Sequence, residues 1–523
     1  MSLDPELASR PSAAIAGATE PNEGGFVRGL GLVSSTMIVM GSMIGSGIFI
    51  VSAEISRLVG TPGLLMTVWL LTGFMTLAGA LCYGELAAAM PAAGGQYVYL
   101  RESLGPLFGF LYGWTLFLVI QTGTIAAVAI AFAKFTGELL PWVSSSHWLF
   151  LWGHWGPVDF GVNTLELVAI GSIALLTYLN MRGVRTGAWV QNVFTAAKVL
   201  ALAGLILIGV FIARNATAVA ANFHNFWSGR TEFGPVTGWS WHNLYRTVSG
   251  HTVMVSTLTL VFIALVGSLF SSDAWNNITF TAGEVKNPRR NIPLSLALGT
   301  AIVTILYLLA NLAYLNVLPL VGSSSATSVI GRGIQYASED RVATAMVSVV
   351  LGHGGAVLMA IAILISCFGC TNGLILAGAR VYYAMARDRL FFQRVGELHS
   401  RRRVPTMGLV VQGIWAALLC LSGTYNQLLE YVMFSVFLFY ILTILGLFVL
   451  RWKRPEMPRP YRAFAYPVLP ILYLAAAICF DVQLLRFLPQ YTGAGLLLVL
   501  VGVPVFYLWR HLGRGTVTPQ PSA

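Results

Sequence analysis

The sequence has little charge. Asp, Glu, Lys and Arg make up only 10% of its 523 residues, whereas 56% are hydrophobic. Soluble globular domains carry roughly 25% charged residues, so this composition excludes that class. Runs of roughly 20 apolar residues are long enough for a helix to cross a bilayer. Because several such runs are present, the composition indicates a polytopic membrane protein.

Cysteine is also scarce, and its positions exclude a disulfide framework. All five cysteines fall within apolar runs rather than in predicted outer loops, so no structural disulfide is expected. Cys367 and Cys370 have no further Cys or His ligand in the pattern, which argues against zinc. No Ser, His or acidic constellation indicates a nucleophile or metal site. We therefore predict no cofactor, no metal ion and no enzymatic activity.

Twelve apolar runs predict an all-α protein of twelve transmembrane helices, at about 32–58, 62–90, 106–138, 162–180, 189–213, 252–282, 294–318, 343–386, 405–423, 427–451, 465–488 and 492–511. The predicted organisation is a disordered cytoplasmic tail (1–28), a first five-helix repeat (29–213), an extracellular loop (214–251), a second five-helix repeat (252–452), helices 11 and 12 (453–512) and a cytoplasmic tail (513–523).

The net charge of +11 follows the predicted topology. If the N-terminus lies inside, most Lys and Arg residues fall in inner loops, as the positive-inside rule requires. The excess of Lys and Arg therefore indicates how the chain is oriented in the membrane, and nucleic-acid binding is not expected. We predict a multi-pass protein of the plasma (inner) membrane, in contact with the lipid bilayer, with both termini in the cytoplasm.

Two of the runs are interrupted. Gly45-Ser46-Gly47 lies within the first, and Ser271-Ser272-Asp273-Ala274 within the sixth. Non-helical backbone at membrane depth survives only where it lines a protected cavity. Interruptions at matching places in two halves of a chain indicate a transporter's substrate site. Because each half would contain five helices, an odd number, the second half would enter from the opposite side, giving an inverted repeat.

The first break would free the amides of Ser46, Gly47 and Ile48 at a positive helix end, where a carboxylate can bind. The alternative is a close-packing face of small residues. The second break would free carbonyls that attract an ammonium group. Asp273 could bind a substrate cation, accept a proton, or cap the next half-helix through Asn276 and Asn277. Phe270 could close over a substrate or simply pack.

Lys198 is predicted to lie near the centre of the fifth span. A buried ammonium group needs partners, and backbone carbonyls at a helix break would serve. It could stand in for a bound sodium ion, or it could release and accept protons. A lysine that reaches a lipid headgroup is the remaining alternative.

Six motifs occur in a familiar order: Ile44-Gly45-Ser46-Gly47-Ile48-Phe49, Gly94-Gly95-Gln96-Tyr97-Val98-Tyr99 with Glu102, Phe270 to Asn276, Gly283 to Pro293, Phe368 to Gly373, and Arg380 to Asp388. Together they cover about residues 30–460. This ordered set resembles the amino acid–polyamine–organocation superfamily, and most of all its L-type amino acid transporter branch.

The resemblance implies a leucine-transporter-like fold, a 5+5 inverted repeat with helices 1 and 6 unwound, and alternating access. It implies that the substrate's carboxylate meets amides along Gly45 to Ile48. The substrate's ammonium would meet carbonyls at Ile44 and at Phe270, Ser271 and Ser272, with Phe270 as the gating aromatic. Lys198 matches the lysine found at the sodium position of sodium-independent members. The partners that the resemblance implies for Lys198 are the carbonyls of Gly41 and Ile44, and Ser366.

Two departures from the branch matter. Eukaryotic members pair with a heavy chain through an outer-loop cysteine, but the loop at 139–161 has none. We therefore expect a prokaryotic, stand-alone protein without a disulfide-linked partner; its oligomeric state is not predicted. Members that transport large neutral amino acids have a small residue at the position of Asp273. In this respect Asp273 resembles the acidic residue of members that accept cationic as well as neutral amino acids.

The sequence thus predicts a sodium-independent amino-acid transporter that exchanges neutral L-amino acids, and Asp273 leaves cationic amino acids open as further substrates. The alternative is a proton-coupled symporter with Lys198 or Asp273 as the protonation site. A channel or a membrane sensor is the third reading.

Overall fold

The structure is a computed structural model that describes residues 25–155, 158–231, 234–237, 244–248, 251–421, 425–487 and 489–511. The predicted tails 1–28 and 513–523 lie outside these ranges, apart from residues 25–28. Parts of the predicted loop 214–251 also lie outside them.

Helices dominate the described chain. They are α1 Leu32–Met43, α2 Gly47–Ile50, α3 Ser52–Val59, α4 Pro62–Ala89, α5 Gln96–Leu104, α6 Pro106–Thr115, α7 Gln121–Leu139, α8 Thr164–Met181, α9 Val184–Leu207, α10 Ala216–His224, α11 Thr257–Ser271, α12 Asn277–Phe280, α13 Pro288–Val317, α14 Val329–Arg332, α15 Val342–Arg387, α16 Thr406–Cys420, α17 Tyr425–Lys453, α18 Val468–Phe487 and α19 Pro489–Trp509. Two π-helical segments, Leu116–Ile120 and Ile208–Ile212, continue α6 and α9.

Three antiparallel hairpins lie in the connecting segments, where the all-α prediction has only loops. Their strands are β1 Trp148–Trp155 with β2 Val158–Asn163, β3 Ser228–Thr231 with β4 Gly234–Thr237, and β5 Leu244–Val248 with β6 His251–Val255. A hairpin lets a connecting segment pair its own backbone groups. The described chain is therefore mainly, but not purely, helical.

Within the described residues, nine helices are long and apolar enough to cross a membrane, and three shorter apolar helices, α1, α11 and α16, accompany them. Local signals start several of these helices. Thr61 accepts a hydrogen bond from the Leu64 amide, with Pro62 at the first helical position. Asn163 and Glu166 form a capping box at the start of α8. These features agree with a multi-pass membrane protein.

The two interruptions lie where the sequence predicts them. Helix α1 ends at Met43, Ile44 is extended (φ −76°, ψ 96°), and helical structure resumes at Gly47. Helix α11 ends at Ser271, Ala274 takes a left-handed conformation (φ 62°), and α12 begins at Asn277. The broken helices pack against α4, α9, α13, α15, α17 and α18, and both breaks are buried.

Candidate substrate site at the two helix breaks

The two breaks touch each other. A Cβ atom placed on Gly47 would lie 2.0 Å from Ser271 Oγ, so only glycine allows this approach. The Tyr307 hydroxyl on α13 lies 3.0 Å from the carbonyl oxygen of Ser271 and 3.3 Å from that of Met43. A single phenol therefore reaches a carbonyl at each break, and the two interruptions form one site.

Lys198 holds the first break through hydrogen bonds to backbone carbonyls. It projects from α9 and is fully buried. Its Nζ lies 2.6 Å from the carbonyl oxygen of Gly41, 2.7 Å from that of Ile44 and 3.3 Å from that of Ser366. An ammonium group has three N–H donors, and each has a carbonyl acceptor here. The lysine's charge is therefore stabilised by backbone dipoles.

Side chains of α15 bind the remaining carbonyls of this break. The Ser366 hydroxyl lies 2.9 Å from Gly45 O and 3.2 Å from Ile44 O. The Cys370 thiol donates to Ser42 O at 3.0 Å. Backbone carbonyls freed inside a membrane need replacement donors. Consequently, the non-helical turn is held by protein groups and is not a packing defect.

The second break presents a carboxylate. Asp273 is buried, with 8% of its surface exposed. Its Oδ1 accepts a hydrogen bond of 2.6 Å from the Tyr440 hydroxyl on α17, and the Ala274 amide also donates to it. The residue at the N-cap of α12 is Asn276, whose side chain donates to Gln96 at 2.9 Å. The Asp273 side chain therefore bonds to α17 and not to α12, the helix that the capping alternative assigns it to.

Small cavities adjoin Asp273. One encloses about 20 Å³ and is lined by polar residues from several helices, among them Tyr112, Gln121, Asn277 and Tyr440. A second, of about 10 Å³, has Asp273 and Tyr440 in common with the first. Small-molecule pockets have volumes of roughly 300–1,000 Å³. An amino acid therefore needs movement of helices or side chains to enter.

The structure brings the predicted residues into two adjoining groups. The group at the two breaks, predicted to bind substrate, is formed by Ile44, Gly45, Ser46, Gly47, Ile48, Phe270, Ser271, Ser272 and Asp273, all of which are buried. The bracing group is formed by Gly41, Lys198 and Ser366. Their roles in transport stay predictions.

Sequence reasoning missed two tyrosines of the site, Tyr307 and Tyr440. Each lies in an apolar run, where a tyrosine is hard to distinguish from a packing aromatic. The polar hydroxyl at mid-membrane depth is the only signal that could have identified them.

Backbone contacts tie the inner ends of the two broken helices together. The amides of Gly29 and Leu30 both donate to Glu284 O at 2.9 Å, and the Lys286 amide donates to Leu30 O at 2.8 Å. The Glu284 side chain forms a fully buried ion pair with Arg380, at 2.9 Å. The segment just before α1 is therefore attached to the end of the second broken helix.

A bundle of membrane-spanning helices in which two interrupted helices meet around a buried polar site defines a multi-pass membrane transporter. The profile of a family described as Amino acid permease matches residues 30–507. This match covers most of the chain, and the protein belongs to that family. It is a transporter and not an enzyme.

Relatives with established names agree with this assignment. The chain is similar to the Large neutral amino acids transporter small subunit 2 of Homo sapiens, with 30% identity over 490 residues, 92% of this chain and 81% of that protein. It is 30% identical to the Asc-type amino acid transporter 1 of Mus musculus, over 92% and 81% of the two chains. The b(0,+)-type amino acid transporter 1 of Oryctolagus cuniculus is 29% identical, over 85% and 80%.

Proposed function

We propose that the protein is a sodium-independent exchanger of L-amino acids that works by alternating access. One observation carries the proposal. The Lys198 ammonium group is bonded to three carbonyls around the first break. A permanent cation at this place supplies the charge that a co-transported ion would otherwise bring, so the binding geometry does not depend on sodium.

The substrate's α-carboxylate binds the amides of Ser46, Gly47 and Ile48. These amides stand at the start of a helical stretch that continues through Val51 into α3, because Val51 N bonds Gly47 O and Ile55 N bonds Val51 O. The first amides of a helix lack intrahelical acceptors and favour anions. The α-ammonium binds carbonyls at Ile44 and from Phe270 to Ser272, and Phe270 closes over the substrate.

The nine long and three short apolar helices of the described chain support a twelve-helix, leucine-transporter-like arrangement with a 5+5 inverted repeat. We assign the protein to the plasma (inner) membrane with both termini in the cytoplasm. It functions without a disulfide-linked heavy chain, since its five cysteines are buried or half-buried in helices. The names of the relatives, which include large neutral and b(0,+) types, support neutral and also cationic substrates.

Counterflow tests the proposal. Proteoliposomes loaded with unlabelled leucine should take up labelled leucine many-fold faster than empty ones, in sodium-free buffer and without a pH gradient. Uptake that is equally fast into empty vesicles and that collapses with the pH gradient would instead establish proton symport, for which Asp273 is the structural candidate. Flux without saturation or trans-stimulation would indicate a channel.

A further inference from the structure

The Asp273 carboxyl group is buried without a cation. Among the residues that the structure describes, no Lys, Arg or His forms an ion pair with it. The donors to it are neutral, namely the Tyr440 hydroxyl at 2.6 Å and the Ala274 amide. Lys198, which belongs to the same site, is committed to three carbonyl oxygens. The two buried charges therefore do not neutralise each other by contact.

The described groups around Asp273 add no positive charge that would compensate its carboxylate. The titratable groups within electrostatic reach of Asp273 are Tyr112 on α6, Tyr440 on α17, Tyr473 on α18 and Cys370 on α15. Phenols and thiols are uncharged near pH 7. The remaining polar groups that line the adjoining cavity are amides and a threonine hydroxyl. Since the described residues supply no cation here, the carboxylate can be neutralised by a cation or a proton that arrives from outside the protein.

We propose that Asp273 binds one positive charge in every transport step, either the side-chain cation of a basic amino acid or, with a neutral amino acid, a proton. A buried carboxylate without a partner is costly, and a proton removes that cost. The charge carried across the membrane is then the same for both kinds of substrate. This inference rests on the proposed exchange function and adds a proton to its neutral half-cycle.

The balance of one heteroexchange follows directly. Arginine enters with its own positive charge on the ionised carboxylate and is released inside. A neutral amino acid and a proton then bind on the inside, travel outward, and both leave. The net reaction moves one arginine cation inward and one neutral amino acid and one proton outward, so no net charge moves. Exchange of like for like moves no net proton.

The experiment uses the full chain in proteoliposomes that contain pyranine in a weak buffer. Vesicles loaded with leucine receive labelled arginine, and the reverse pair is measured in parallel. We expect the lumen to become alkaline when arginine enters and acidic when arginine leaves, with protons and arginine moving in equal numbers. Leucine–leucine and arginine–arginine exchange should leave the lumen pH unchanged. A potassium diffusion potential, set with valinomycin, should not change the arginine–leucine rate.

Asp273→Asn keeps the size and the acceptor oxygen but removes the charge. In leucine-loaded vesicles it should lose arginine uptake and the pH signal together. Asp481→Asn is the matched control, because Asp481 is another buried acid within a helix but lines neither cavity beside Asp273. That variant should keep the proton signal.

The outcomes separate the two levels of the proposal. If leucine does not exchange for leucine, the exchange function itself fails. If leucine exchanges but arginine does not, or if arginine exchanges for leucine without a pH change and at a rate that depends on voltage, only the proton inference fails. The wild-type measurement decides this even if the Asp273 variant does not fold.

Discussion

The two helix breaks differ in how their polar groups are satisfied. At the first break, Ser42, Ile44 and Gly45 offer carbonyl oxygens that Lys198, Ser366 and Cys370 bind, and the cation is part of the chain. At the second break the charged group is Asp273, whose described side-chain partner is a neutral hydroxyl.

This difference assigns different tasks to the two breaks. Donors from α9 and α15 over-determine the conformation of the first break, which can hold its amides in place while substrate enters and leaves. The second break has a carboxylate that no cation among the described residues pairs with, and we propose that its charge is neutralised by the substrate or by a proton. The first break thus has a backbone conformation held by side-chain donors, and the second has a carboxylate whose charge can change.

Removing the built-in cation should produce the largest effect. Lys198→Ala leaves buried carbonyls without a donor, and each unsatisfied group costs about 1–3 kcal/mol. We expect uptake to fall by at least about 100-fold, since 1.4 kcal/mol corresponds to roughly a factor of 10, together with a lower melting temperature in detergent. Lys134→Ala is the control, because that lysine is 42% exposed. Normal uptake by Lys198→Ala would disprove the bracing role.

Forcing the two breaks apart should come next. Gly47→Ala places a methyl group against Ser271 Oγ, and overpacking of this kind costs typically about 1–3 kcal/mol. Uptake should fall roughly 10-fold or more. Ser271→Gly should restore part of it in the double variant, because contacting residues couple in a mutant cycle. Gly204→Ala, where nothing lies within 4 Å of the new atom, should be neutral. Additive effects at positions 47 and 271 would contradict direct contact.

Loss of the shared hydroxyl should have an intermediate effect. Tyr307→Phe removes a donor that reaches both breaks, and one hydrogen bond contributes about 0.5–1.5 kcal/mol. We expect substrate affinity, measured by scintillation proximity, to weaken by about 3- to 10-fold. Tyr314→Phe provides the comparison, since the Tyr314 hydroxyl donates to Ile48 O at 3.2 Å, beside the first break. Equal effects of the two variants would remove the argument for a bridge.

The smallest effect should come from the thiol. Cys370→Ala removes a weak sulfur donor to Ser42 O, whereas Cys370→Ser keeps a donor of similar size. Uptake by the alanine variant should change less than about 3-fold, and the serine variant should match the wild type, because a thiol is only a weak donor. A large loss in both variants would mean that the first break is less over-determined than its contacts suggest.

The breaks and the lysine could be predicted because each violates a strong rule. Glycines, a carboxylate and an ammonium group inside apolar runs are costly in a membrane, so Gly47, Asp273 and Lys198 are conspicuous in the sequence. Tyr307 and Tyr440 violate no rule, since a tyrosine suits an apolar helix. Their roles depend on which helix faces which, and helix facing is set by tertiary packing that periodicity does not encode.

The hairpins had no such signal either. In β1 the residues at 148–152 are almost all apolar, so no alternation indicates a strand. The length of α15 was more informative, because Val342–Arg387 is longer than a single span. Gly352 (φ 57°, ψ −143°) interrupts it near the start, so a short helical segment precedes the long one.

The backbone contacts between residues 29–30 and 284–286 carry a mechanical consequence. Three hydrogen bonds join the chain just before α1 to the chain just after α12. In the proposed alternating-access cycle, a swing of α1 about Ile44 would require α12 to swing with it, or all three bonds would have to break. The segments that these bonds join would therefore move together. A force on the chain before α1 would act on both broken helices at once.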